Sequence, residues 1–187
     1  MDSTLEKHGD RYVLIVERRL QESPEKVWKA LTSRKLLREW FPCDVEGEWI
    51  VGAPLRFEFL RAEVDSLSDA HAQGEVLAVD EPRLLEFRWG DDVLKYEIQP
   101  DGDGCRFRLS HTFDDPSWGA RNASGWEICL ENLDLLLEGV AFVKFVAKVW
   151  KTKFAQYKER FEARHGPQVG LPADDPLLAE DAERPTS

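Results

Sequence analysis

One stretch, Ser117 to Gly139, limits what this chain can become. Trp126, Cys129, Leu130, Leu133, Leu136, Leu137 and Val140 recur every three or four residues, which puts them on one stripe of an α-helix. Glu127, Glu131, Asp134 and Glu138 form an acidic stripe beside it. Like charges four apart on an isolated helix repel, by roughly 0.2–0.5 kcal/mol per pair. Such a helix needs its apolar stripe buried. The sequence before it is mostly strand-like. The expected architecture is therefore α+β: a curved antiparallel sheet wrapped around the long helix, with a pocket between them.

The strands show their inward faces by alternation. Arg11 to Leu20 places Leu14, Val16, Arg18 and Leu20 on one face. Arg18 interrupts that face, either paired with a nearby acid or as a cation for an acidic ligand. Val45 to Ile50 is a weak strand, and Leu55 to Arg61 a strong one with Leu55, Phe57 and Phe59 together. Ala72 to Val79 is a further strand. Arg83 to Trp89 aligns Leu85, Phe87 and Trp89, and Val93 to Gln99 aligns Leu94, Tyr96 and Ile98. After the turn at Asp101-Gly102-Asp103-Gly104, Cys105, Phe107, Leu109, His111 and Phe113 face one way.

Between the first two strands, Ser23-Pro24-Glu25 has the marks of a helix start: a capping hydroxyl, a first-turn proline and a carboxylate at the positive end. Thr32-Ser33 starts a second short helix, which Trp40-Phe41-Pro42 ends. Two helices this short cannot cover the sheet; they suit a clamp at one end of it. Asp114-Asp115-Pro116 supplies caps for the long helix, and Gly139 either caps it or kinks it.

After Gly139 a second amphipathic segment carries Phe142, Phe145, Val146, Val149, Phe154, Tyr157 and Phe161 with lysines between, until Gly166-Pro167. It packs back on the domain, forms a homodimer contact through residues 140–162, or lies on a membrane surface. Met1 to Asp10 reads as a flexible leader rather than a secretory signal, residues 11–165 as one domain, and 166–187 as an acidic, disordered tail.

Charge and chemistry narrow the function. A net charge of -11 with no basic patch argues against nucleic acid and anionic membranes. No run of about 18 apolar residues exists to span a bilayer. Cys43, Cys105 and Cys129 are odd in number and widely spaced, which suits reduced thiols in the cytoplasm. Among the four histidines only His111 lies on an inward strand face, as a satisfied core residue or a general base. No metal-ligand spacing, nucleophile elbow or phosphate loop is present, so no catalytic residue, metal or cofactor is assigned. Cys43, just past the Trp40-Phe41 break, is a candidate exposed thiol.

The aromatic residues are the better clue. Trp40 at the clamp, Phe57, Phe59, Phe87 and Trp89 on two strands, and Phe107 and Phe113 on a third all point inward. Trp126, Leu130 and Leu133 face them from the helix, and Tyr96 and His111 would be the polar handles. These residues either fill the interior or line a site for a small hydrophobic or aromatic molecule.

The strings Val16-Glu17-Arg18-Arg19-Leu20, Ser23-Pro24-Glu25-Lys26-Val27-Trp28-Lys29-Ala30-Leu31 and Leu37-Arg38-Glu39-Trp40-Phe41 resemble the opening of START-like proteins related to the activator of heat-shock protein 90 ATPase. The resemblance continues through Gly74-Glu75-Val76, Glu81-Pro82, Leu85-Glu86-Phe87-Arg88-Trp89, Gly125-Trp126 and Leu130-Glu131-Asn132-Leu133, over residues 11 to 140. It implies the helix-grip fold shared with birch-pollen-allergen-like and polyketide-cyclase-like proteins, whose cavity often holds a hydrophobic ligand. It implies no invariant catalytic set. Three functions compete: binding of a small hydrophobic ligand, an enzyme of cyclase or hydrolase type using the same cavity, and a chaperone-associated interaction module with its apolar patch on Phe142 to Phe161.

Overall fold

The computed structural model describes residues 3–60, 71–140 and 147–171. The strands are β1 (Ser3–His8), β2 (Arg11–Leu20), β3 (Cys43–Glu46), β4 (Pro54–Phe59), β5 (His71–Asp80), β6 (Leu84–Trp89), β7 (Asp92–Asp101) and β8 (Gly104–Phe113). The helices are α1 (Pro24–Thr32), α2 (Arg34–Trp40), α3 (Gly119–Leu137) and α4 (Ala147–His165). The strands form a single antiparallel sheet in the order β1-β2-β8-β7-β6-β5-β4-β3. A register shift between Val76 and Ala78 interrupts the β5–β6 ladder, the kind of irregularity that bends a strand. This is the α+β helix-grip architecture: the sheet curves around α3, and α1 and α2 sit together at one end.

The alternation read from the sequence sets the inward face. Phe57, Leu85, Phe87, Leu94, Tyr96, Ile98, Phe107 and Leu109 are at most 1% exposed. Trp126, Leu130, Leu133 and Leu137 of α3 are buried against them. Burying a large apolar side chain is worth about 1.5–3 kcal/mol, and this layer holds α3 in place. Asp115 accepts the Ser117 N–H at 2.9 Å in a single 3-10 turn that leads into α3. The helix ends on Gly139 in the left-handed region (φ 73°). The Gly139 N–H donates to Leu136 O and the Val140 N–H to Leu135 O, which closes a Schellman cap. Gly139 is thus a cap, not a kink. Val140, expected on the apolar stripe, lies beyond the cap and is 51% exposed.

Other differences have local causes. Ser3–His8 is not a loose leader: all six residues pair with β2, and Ser3 and Leu5 are buried. Its charged sequence hides a strand that tertiary pairing holds. β3 begins and ends earlier than expected; it ends just before Gly47 (φ 137°), where the chain turns away. That turn leaves Ile50 and Val51 each 61% exposed. Ser33 closes α1 and opens α2, but its side chain makes no cap hydrogen bond. The tail expected from residue 166 starts with ordered contacts. Gln168 is buried, accepts the Ala120 N–H at 2.9 Å and donates to Pro116 O at 3.2 Å. The rest of that tail, residues 172–187, and the loop expected at Ala62–Ala70 lie outside the described residues.

α4 packs back on its own domain. Trp150, Tyr157 and Phe161 are buried against the chain itself. Of the other apolar residues read in this segment, Phe142, Phe145 and Val146 lie outside the described residues, while Val149 is 43% exposed. The interface also resolves the acidic stripe of α3. Lys153 Nζ donates to Glu127 Oε1 at 2.8 Å and Glu131 Oε1 at 2.7 Å, so one ammonium separates two carboxylates four residues apart. The Tyr157 hydroxyl donates to Glu127 Oε2 at 2.8 Å and lies 3.1 Å from Ser3 Oγ. Arg18 pairs with Asp134 from the sheet side. Among the described residues no helix is long and apolar enough to cross a membrane.

Candidate functional site

The concave face of the sheet and the apolar stripe of α3 converge on a continuous aromatic array. Phe57 and Phe87 stack at 5.9 Å across β4 and β6. Tyr96 of β7 meets Phe87 at 5.5 Å and Phe107 at 5.7 Å. Trp40 reaches Tyr96 from α2 at 6.2 Å, and Trp126 reaches Trp89 from α3 at the same separation. Phe113 packs on His111 at 5.1 Å. Leu130 and Leu133 complete the helix side, fully buried. All twelve side chains singled out in the sequence lie in this one region. Phe59 and Trp89, 5.9 Å apart, are its partly exposed members.

Sequence reasoning missed two residues here. Phe41 was read only as a helix terminator, yet it is 2% exposed and touches Phe57, Trp89 and Trp126. Its signal was available: the residue after a short helix that clamps a sheet end is placed to point back at the sheet. Cys43, a candidate exposed thiol by sequence, is the other. It is fully buried, and burial pushes its pKa up, so it stays a thiol. None of the three cysteines forms a disulfide.

His111 is committed on both nitrogens. The Trp126 indole N–H can only donate, and it lies 3.0 Å from Nδ1. Nδ1 therefore accepts, Nε2 carries the proton, and Nε2 donates to Asp92 Oδ2 at 2.8 Å. No ring lone pair is left for a substrate proton. Asp92, His111 and Trp126 form a latch that ties β7 and β8 to α3.

The polar tips of the neighbouring indoles are satisfied in the same way. Trp40 Nε1 donates to Ala30 O at 3.0 Å and Trp49 Nε1 to Thr32 O at 2.8 Å. Tyr96 differs. It is 1% exposed and its hydroxyl has no hydrogen-bond partner among the described residues. Buried tyrosine hydroxyls ordinarily find one, and leaving one unmet costs about 1–3 kcal/mol. Burial pushes the Tyr96 pKa well above its usual range, and the ionisable groups that bear on it are the thiols of Cys129 and Cys43.

Apart from this array, an open cleft of about 500 Å³ lies between the end of β2 and the second half of α3. Its walls carry Glu17, Glu22, Glu127, Glu131 and Asp134 along with Arg18 and Arg19. These carboxylates are engaged: Glu22 by Lys26 at 2.9 Å, Glu17 by Arg108 at 3.4 Å, Glu127 and Glu131 by Lys153, and Asp134 by Arg18. Burial lowers the Arg18 pKa, against the raising fields of Glu131 and Glu127. Of the two roles open to Arg18, pairing with an acid is the one observed. Among the described residues no group of His, Cys, Asp and Glu could hold a metal ion.

This architecture recurs in solved structures. The crystal structure of CalU16 from Micromonospora echinospora superposes with a TM-score of 0.68 at 19% identity, covering 86% of this chain and 98% of that one. A conserved protein of unknown function from Enterococcus faecalis gives 0.68 at 18% identity, covering 86% and 91%. A protein from Mesorhizobium loti gives 0.58 at 25% identity, covering 68% and 97%. No curated protein sequence matches the chain. A family's sequence model does, over residues 21–138, from just before α1 to the end of α3. The chain belongs to that family, described as Activator of Hsp90 ATPase homolog 1-like protein.

Proposed function

We propose that the chain binds a small hydrophobic or aromatic molecule between the curved sheet and α3, with no catalysis of its own. The supporting observation is the convergence of aromatic side chains from α2, β4, β6, β7, β8 and α3 on one buried region, with Phe59 and Trp89 still partly accessible. Sites for small molecules have this make-up: apolar and aromatic walls with few polar groups. The ligand-binding fold of the family points the same way. His111 as a general base is disfavoured by its two occupied nitrogens, which weakens the enzyme reading. The chaperone-associated reading and a homodimer both called on the apolar face of the 140–162 segment. Trp150, Tyr157 and Phe161 of that face already pack within the chain. The net charge of -11 speaks against nucleic acid, and three cysteines without a disulfide suit a reducing compartment such as the cytoplasm.

Native mass spectrometry beside denaturing mass spectrometry tests the reading, together with thermal unfolding in the presence of small aromatic probes. The expected result is an added mass lost on denaturation, or a melting temperature that rises with probe concentration. A protein that carries no small molecule and whose unfolding no apolar probe shifts would refute it.

A further inference from the structure

We propose that His111 is an acid-sensitive release for α3: neutral, it holds the Trp126 indole, and a proton on Nδ1 keeps that indole away. The proposal concerns the latch alone and stands whether or not a ligand lodges beneath α3.

The count of donors and acceptors carries it. The Trp126 indole N–H lies 3.0 Å from Nδ1 and can only donate, so Nδ1 must keep its lone pair. Nε2–H already donates to Asp92 Oδ2 at 2.8 Å. A second proton has one place to go, the Nδ1 lone pair, and it fits there only after the indole N–H has left. The imidazolium then carries two N–H groups and stays bonded to Asp92 through Nε2, while the Trp126 N–H has lost its acceptor. Trp126 is 4% exposed and packs on Phe41 at 5.8 Å and Trp89 at 6.2 Å, so an unbonded N–H at that place is unfavourable. The proton thus binds the unlatched arrangement and not the latched one, and acid shifts the balance toward release. Solvent reaches the latch at Asp92, whose side chain is 35% exposed, although that of His111 is only 4% exposed.

Each element packed on His111 adds to its surroundings. β7 brings Asp92. β2 brings Arg11, whose guanidinium lies 3.9 Å from Asp92 Oδ1, pairs with Asp114 just past β8 and donates to Asp91 O at 2.8 Å. Arg11 thereby holds the start of β7 beside the imidazole ring. β6 and α3 present rings rather than charges, Trp89 at 6.3 Å and Trp126 at 5.9 Å. α4 brings a second histidine to this end of the sheet: His165 packs edge-on against Tyr12 at 6.0 Å. Substituting His111 alone separates the two.

The test follows solvent exchange of the indole N–H groups in the full, isotope-labelled chain by NMR, each rate corrected for its intrinsic pH dependence. Trp40 and Trp49 are internal standards, because their N–H groups bond to the backbone carbonyls of Ala30 and Thr32, which do not titrate. Between about pH 7.5 and 5.5, within the span where histidines as a class change charge, Trp126 N–H exchange is expected to accelerate relative to both. The acceleration should reach at most about tenfold per pH unit, the limit that one proton sets. His111→Gln should remove it, since an amide offers an acceptor oxygen and a donor nitrogen and does not titrate. Asp92→Asn should move it to lower pH, since this keeps an acceptor and takes away the charge that favours the imidazolium. Trp126 keeping pace with Trp40 and Trp49 in the wild-type chain would overturn the proposal. So would an acceleration that survives His111→Gln, or one that Asp92→Asn does not move.

Discussion

Two glycines of α3 carry opposite meanings. At Gly119 a Cβ would sit 2.6 Å from Leu5 Cδ2, 3.2 Å from Gln168 Oε1 and 3.3 Å from Phe161 Cδ2, so the helix start is wedged beneath β1 and α4. At Gly125 a Cβ would meet nothing within 4 Å. Gly125→Ala should therefore stabilise the chain by about 0.5–1 kcal/mol through helix propensity alone, and Gly119→Ala should destabilise it by about 1 kcal/mol or more. Urea unfolding of both variants reads the two signs. His111→Ala should cost about 2–3 kcal/mol in the same assay, because it strands the Trp126 N–H inside the core and removes the tie to Asp92. Sequence could show that His111 points inward. It could not show which partners occupy its two nitrogens, since Asp92 and Trp126 reach it only once β7 and α3 are in place.

The acidic stripe of α3 shows what helical periodicity reveals and what it conceals. Spacing exposed the repulsion among Glu127, Glu131 and Asp134; the cations that relieve it come from α4 and β2, far away in sequence. Burial raises the Glu127 pKa, but bonds from Lys153 and Tyr157 outweigh this and hold it below its usual 4.5. Burial lowers the Lys153 pKa, yet Glu127 and Glu131 leave it above its usual 10.5. The depressed carboxylate contributes stability above about pH 4.5, lost as pH falls through its folded value. The raised ammonium contributes stability below about pH 10.5, lost as pH rises through its folded value. Amide exchange over residues 147–165, corrected for intrinsic rate, should be slowest between those limits and accelerate toward acid and alkali. Lys153→Met should accelerate it at neutral pH, and adding Glu127→Gln should restore part of the protection, because the more buried of the two carboxylates that Lys153 served is then neutral. Exchange indifferent to both pH and substitution would mean that apolar packing alone docks α4. β1 was hidden for a related reason: Ser3 and Leu5 are too few to show alternation, and only pairing with β2 makes the segment a strand.

Across the whole molecule, the inward faces of β6, β7 and β8 alternate so cleanly that the curved sheet and its gripped helix were legible from sequence. The same alternation, with helical spacing for Trp40 and Trp126, brought Trp40, Phe57, Phe87, Tyr96 and Trp126 to one region. Occupancy was not legible, because a ring that fills a core and a ring that lines a site follow the same pattern. The partial accessibility of Phe59 and Trp89 is what favours the second reading, and accessibility exists only in three dimensions. The central claim is that a small aromatic molecule lodges between the sheet and α3. Intermolecular nuclear Overhauser contacts from 2-naphthol to the side chains of a labelled chain test it most directly. Contacts to Tyr96, Phe87 and Trp126 are expected; contacts confined to exposed residues such as Ile50 and Val51, or none at all, would contradict it.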